Sequence, residues 1–203
     1  MFTVTVPAAD PTLLSLAEIR SVVGADFCSE EDLRSLNASI SAAIARYCRV
    51  ADDGVRVPTL RLETVTEAIR FCRTREIVLK RFPVTEITSI ELDGTDLVTA
   101  DYELNVANGM LSRLCDDRLT WWSGSKLAVS YKAGHATVPA DLKLAAKKLA
   151  LVMNSESGRE PGLKRENIPG VIEREYWVAP NDDPAFPVEV QQLLDPFVNP
   201  VLG

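Results

Sequence analysis

His135 is the only histidine among the 203 residues, so a Ser-His-Asp or Cys-His system in this chain would have one possible base. It sits in Gly134-His135-Ala136, which reads as a turn, where an imidazole faces solvent or serves a local hydrogen bond. Ser123-Gly124-Ser125-Lys126 fits the Ser-x-x-Lys spacing of a lysine-activated serine. That motif opens a helix, whereas this stretch leads into a strand, and the match is fortuitous. Neither GxGxxG nor a GxxxxGK loop is present, which excludes the familiar phosphate cradles. Asp116-Asp117 and Asp182-Asp183 are paired carboxylates of the type that hold divalent cations, but in loops such pairs are ordinarily solvated turn residues. Cys28, Cys48, Cys72 and Cys115 lie far apart and form no CxxC pair. They read as reduced thiols of a cytosolic product rather than as a disulfide framework or zinc site. No catalytic residue, metal or cofactor is expected, and the protein is not read as an enzyme.

The elements that position these groups are legible from caps and periodicity. Leu14 to Gly24 carries a helix start in which Ser15 caps, Glu18 reaches back and Leu14 packs on Ile19, with Gly24 as the stop. A second start lies at Ser29, with Asp32 three residues on and Cys28 and Leu33 at the staple positions; this helix should run to about Arg49. Its apolar side is Leu33, Leu36, Ile40, Ala43, Ile44, Tyr47 and Cys48. Ala38, Ala42 and Ala45 form the opposite side, either a plain exposed surface or a face where another backbone approaches closely. After Asp52-Asp53-Gly54 the period changes, and strands are expected at 59–70, 76–80, 86–92, 102–106, 110–114 and 126–132. Asp93-Gly94 and Asn108-Gly109 predict two hairpins. Trp121-Trp122 is either a recognition tip or a clamp that pins its loop to the β unit. Pro139 suits the first turn of a third helix, whose inner stripe is Leu142, Ala145, Ala146, Leu149, Val152 and Met153. Leu144 and Leu151 stand together on its outer face, to be covered either by another segment of the chain or by another subunit. Residues 158–170 read as a charged arm, Val171–Val178 as a possible strand, and PVEVQQLLDPF as a short helix with Val190, Leu193, Leu194 and Phe197 on its apolar side.

The expected fold class is α+β, a helical bundle with an inserted antiparallel β unit. The expected division is N-terminal helices over 1–54, the β unit over 55–133, the third helix over 134–160, and an arm, short helix and tail over 161–203. Net charge is −7. Acidic residues exceed basic ones by 8 to 4 over residues 1–54 and by 10 to 7 over 134–203, while 55–133 carries 11 of each. Without a clustered positive run, tight DNA binding is disfavoured. No apolar run approaches the roughly 20 residues of a membrane-spanning helix, and MFTVTVPAAD lacks the form of a signal peptide.

The order of segments SLAEIR, SEEDLRSLNASISAAIARYC, RFPVTEITSIELDGTDL, DYELNVANGMLSRL, KLAVSYKAGHATVPADLKLAAKKLALVM and VEVQQLLDPF resembles the head-to-tail adaptor, or connector, proteins of tailed bacteriophages and gene transfer agents. The strongest parts are Arg81–Leu97, the Tyr131–Gly134 turn before Val138-Pro139-Ala140-Asp141-Leu142, and Leu193-Leu194-Asp195-Pro196-Phe197. The family more typically ends in Leu-Asp-Pro-Tyr followed by arginines, so Phe197-Val198-Asn199 is a departure. The resemblance implies a structural virion protein forming a ring of about twelve copies under the portal protein, through which DNA passes without specific binding. It also implies a tail-side stopper or tail terminator as neighbour, the virion neck as location and host cytoplasm during assembly. Leu144, Leu151, Ala38, Ala42 and Ala45 would then face other subunits. Val190, Leu193, Leu194, Phe197, Val198, Val201 and Leu202 would dock on the portal, so that deletion from Pro187 onward should spare the fold. The rival reading is a DNA-packaging factor of the small-terminase kind.

Overall fold

The structure is a computed structural model and describes residues 1–24, 29–157, 165–168, 172–175 and 186–199. Two compact units are interleaved along the chain. Thr12–Cys48 and Pro139–Val198 make a helical unit, and Met1–Pro11, Arg49–Val138 and Asn199–Gly203 make a β unit.

The helical unit contains α1 (Leu16–Val23), α2 (Glu30–Tyr47), α3 (Ala140–Ser157) and α4 (Val188–Leu194). Both expected capping boxes form. Ser15 Oγ accepts from the Glu18 amide at 3.2 Å while Glu18 accepts from the Ser15 amide at 2.8 Å; Ser29 and Asp32 repeat the exchange at 3.3 and 3.0 Å. Pro139 lies one residue outside α3, its carbonyl accepting the first intrahelical bond from Lys143 at 3.1 Å. α3 packs on α1, α2 and α4, burying Leu142, Ala145, Ala146, Leu149 and Ala150. Val152 and Met153 of the expected stripe are only half-buried. The buried face of α2 is not wholly apolar. Asn37 donates to the Leu14 carbonyl at 2.6 Å and Ser41 accepts from the Leu13 amide at 3.0 Å, so two polar side chains satisfy the backbone that leads into α1. At the helix ends, Lys143 pairs with Glu18 at 2.9 Å and Lys148 pairs with Glu189.

The β unit is built on β2 (Glu63–Thr74) and β9 (Trp122–Ala133), which pair antiparallel from Glu63 opposite Ala133 to Thr74 opposite Trp122. With β1 (Phe2–Val6), β4 (Val84–Leu92) and β5 (Thr95–Asp96) they form a five-stranded sheet ordered β1-β2-β9-β4-β5. A second sheet holds β3 (Glu76–Val78), β7 (Met110–Cys115) and β6 (Tyr102–Asn105), with β8 (Arg118–Thr120) added on β7. Within the Pro139–Val198 part of the helical unit, β10 (Arg165–Ile168) and β11 (Ile172–Glu175) form an antiparallel hairpin. That hairpin falls within the stretch expected to be an arm and a strand. The N-terminal residues are a strand of the β unit and not a lead-in to the helices, because Phe2 to Val6 pair with β2. The expected strand at 59–70 begins only at Glu63; before it, Arg61 bridges His135 in parallel.

Asp93-Gly94 makes a two-residue turn with φ of 51° and 85°, and Asp116-Asp117 makes another with φ of 51° and 57°. The latter pair therefore has a conformational role. Gly134 carries φ of 103°, and a Cβ there would overlap the Arg61 carbonyl, so the Tyr131–Gly134 turn admits no side chain at its last position.

One ionic network fixes the interior of the β unit. The Arg81 side chain is 1% exposed and donates to Glu63 at 2.6 Å, to the Thr59 carbonyl at 2.5 Å and to the Ala51 carbonyl at 3.0 Å. Its amide donates to the Tyr131 hydroxyl at 3.2 Å, that hydroxyl donates to Glu67, and Glu67 also accepts from the Lys80 amide at 2.7 Å. Burial lifts the Glu67 carboxyl above its ordinary value, against the lowering effect of Tyr131 and Lys80, and burial beside Glu67 raises the Tyr131 hydroxyl. Arg81→Met should destabilise the β unit by about 3–5 kcal/mol, because Glu63 would stay buried without its cation. Urea unfolding followed by tryptophan fluorescence measures this; an unchanged midpoint would remove the network from the stability of the unit.

The Ser15 amide, followed by Lys143, holds the Glu18 carboxyl at about 2 instead of 4.5. A depressed pKa contributes stability that is complete above the unfolded value and fades as pH falls through the folded one. Glu18→Gln should therefore cost about 1 kcal/mol at neutral pH and flatten the loss of helical signal between pH 4.5 and about 2. A pH titration by circular dichroism checks both.

Candidate functional site

The groups able to do chemistry are placed first. His135 is half-buried, and burial lowers its pKa. Its backbone donates to Leu60 at 2.8 Å and accepts from Leu62 at 3.1 Å, so the residue is built into the turn. Cys48 is buried, which pushes its thiol up to about 12 with Asp195 adding to the shift, and a thiolate is scarce at neutral pH. Ser123 and Lys126 lie within β9 and not at a helix start. Among the described residues no group of three or more His, Cys, Asp or Glu is placed to hold a metal ion, and no helix is long and apolar enough to cross a membrane. Asp182 and Asp183 lie outside the described residues.

The surfaces carry more information. Leu144 and Leu151 are 45% and 52% exposed, and seven residues at 100° each return to nearly the same direction, so they form one apolar strip on α3. Leu142, Ala145, Ala146 and Leu149 of the inner stripe are buried, and the strip is an additional face. Along α2, Ala38 is exposed and Ala42 half-buried. Ala45 is a correction: it is fully buried, because α2 packs on both α1 and α3 and its inward arc is wider than a single stripe. Ala45 belongs to the core and is not available to another subunit.

The C-terminal segment also differs from expectation. Val190 and Leu194 are 1% and 0% exposed, held by the packing of α4 on α3. Phe186 meets the Tyr47 ring at 5.3 Å, and the Tyr47 hydroxyl donates to Asp195 at 3.0 Å. These residues are already used inside the helical unit, so they are not a free docking strip, and deletion from Pro187 would open the unit's own core. Leu193, Phe197 and Val198 are half-buried. Val201 and Leu202 lie outside the described residues. Periodicity identified the apolar side of α4 correctly, but it does not say which surface that side meets.

The tryptophan pair divides. Trp122 is fully buried and its indole donates to the Leu111 carbonyl at 3.2 Å, with the Arg113 guanidinium 5.9 Å from its ring centroid. Trp121 is 51% exposed. Neighbours on an extended chain point to opposite sides, so only Trp121 belongs to a tip and Trp122 is its anchor. Sequence reasoning also missed the structural roles of Asn37, Ser41 and Arg81, polar residues turned inward. Only their partners across the fold reveal them.

Residues 12–153 match the family model of the head completion protein. The fold is similar to a chain in the neck of an empty GTA particle computed with C6 symmetry, with a TM-score of 0.64. It is also similar to one in the neck of a native GTA particle computed with C12 symmetry, with a TM-score of 0.60. Each comparison shows 21% identity and covers 100% of this chain and 98% of the other. A search of curated proteins finds no match. Chains of this similarity share an α+β architecture of helices with antiparallel sheets, as described above. The family model spans well over half of the sequence, from the lead-in to α1 to the body of α3, and the chain therefore belongs to the head completion protein family.

Proposed function

We propose that this member of the head completion protein family is the head-to-tail adaptor of a tailed phage or phage-like particle. About twelve copies form a ring beneath the portal protein, a tail-side stopper or tail terminator binds the opposite face, and DNA passes through the centre. The observation that carries the reading is the second apolar strip of α3. Leu144 and Leu151 remain exposed after α3 has buried its inner stripe, and lateral packing between copies covers such a strip. The solved chains of similar fold come from particle necks with C6 and C12 symmetry, which is ring geometry. Ala38 and Ala42 are the part of α2 that stays accessible for the same contact.

Charge supports passage without gripping. A net charge of −7 repels phosphate, and a conduit that attracted the duplex would slow it. The role is architectural and non-enzymatic, exercised in the virion neck after assembly in the host cytoplasm. Portal docking falls to the end of the tail, Val201 and Leu202, together with the accessible parts of Leu193, Phe197 and Val198. Val190 and Leu194 hold the segment to its own unit.

Leu144→Glu with Leu151→Glu should leave the far-ultraviolet circular dichroism of the purified chain unchanged. Each copy-to-copy contact should weaken by about 2 kcal/mol, roughly thirtyfold, which shows as loss of tailed particles in complementation. Normal tail joining would take the strip out of the interface. Removing residues 200–203 should likewise spare the fold and abolish joining to heads, and heads that still acquire tails would refute the docking role. Salt-sensitive duplex binding by the purified chain would favour a packaging factor instead.

A further inference from the structure

Trp121 is presented by a rigid support and is already paired with a cation. Its neighbour Trp122 is locked in the core by the Leu111 carbonyl, so the backbone of the exposed ring is fixed. The Arg75 guanidinium stands 5.2 Å from the Trp121 ring centroid, a cation–π contact. Arg73 is opposite Ser123 in the β2–β9 ladder, and strand alternation puts Arg73, Arg75 and Trp121 on one side. Leu119, two residues before Trp121, is 59% exposed. Among the described residues neither Arg73 nor Arg75 has a carboxylate partner, unlike Arg34, Arg56, Arg81 and Arg113. Tryptophan and arginine on a pre-ordered support are the residue types that dominate binding energy at protein interfaces.

We infer that Arg73, Arg75, Leu119 and Trp121 form a docking patch for a second copy of this chain, occupied by the exposed acidic start of that copy's α2. The occupant follows from charge. The β unit carries this unpaired basic and aromatic group, whereas Glu30, Glu31 and Asp32 are three consecutive exposed carboxylates opening α2. Glu30 and Asp32 have partners in Arg34 and Ser29, which leaves Glu31 to pair outward. Two different patches meeting head to tail generate a closed ring when the rotation closes. The inference rests on the ring reading and adds a second contact to the leucine strip.

The test is a cross-link in assembled necks. In a Cys28→Ser, Cys72→Ser, Cys115→Ser background, which removes the native thiols beside both positions and an exposed one, Arg73→Cys and Glu31→Cys are introduced together and separately, and necks are oxidised and imaged. The double variant should give a ladder of covalent multimers and the single variants none. Trp121→Ala should cut tail joining about tenfold or more with the circular dichroism unchanged. If imaging shows the ring but no ladder forms and Trp121→Ala joins tails normally, this inference fails and the ring reading stands. If the neck holds no ring of this chain, both fail. Ultraviolet cross-linking of Trp121 to DNA instead of protein would also overturn the assignment.

Discussion

A helix packed on one core can satisfy one stripe of its surface, and α3 has two. Ala145, Ala146 and Ala150 are small enough to bring α3 close to its neighbours, and Leu142 and Leu149 fill the space between. That arrangement is complete within the helical unit. It leaves Leu144 and Leu151 facing water, and no rotation of the helix would bury them without exposing the inner stripe. The proposed contact between copies would cover this second strip.

The β unit differs in having a core that is itself partly charged. Long β2–β9 pairing gives the frame, and Arg81 ties the backbone at Thr59 and the strand at Glu63 to its guanidinium and the hydroxyl of Tyr131 to its amide. Such a network adds little net stability compared with apolar packing, but breaking it is costly, which favours one arrangement over its competitors. Hairpins at Asp93-Gly94 and Asp116-Asp117 then project from a stiff base, and Trp122 sets the direction of Trp121.

Much of this was legible where the physics is local. Ser15 with Glu18, Ser29 with Asp32 and Asp93-Gly94 depend on residues close in the chain and appear as expected, as does the inner stripe of α3 from Leu142 to Leu149. What sequence could not supply is the identity of the opposing surface. The strand at Phe2–Val6 is defined by pairing with β2 some sixty positions away. Val190 and Leu194 were recognisable as apolar but not as core, because the stripe looks the same whether α3 or a foreign protein covers it. Ala45 looked like its neighbours Ala38 and Ala42 until α2 was seen to pack on two helices. For Trp121 and Trp122, alternation says that one points inward without saying which.

This is an acidic chain of the head completion protein family that exposes Leu144 and Leu151 along α3 and Trp121 beside the buried Trp122. A map of the assembled neck at side-chain resolution measures this most directly. It should show a closed ring in which Leu144 and Leu151 of every copy lose nearly all solvent contact against the adjacent copy. A neck in which those leucines remain open to water, or are covered by their own chain, would contradict it.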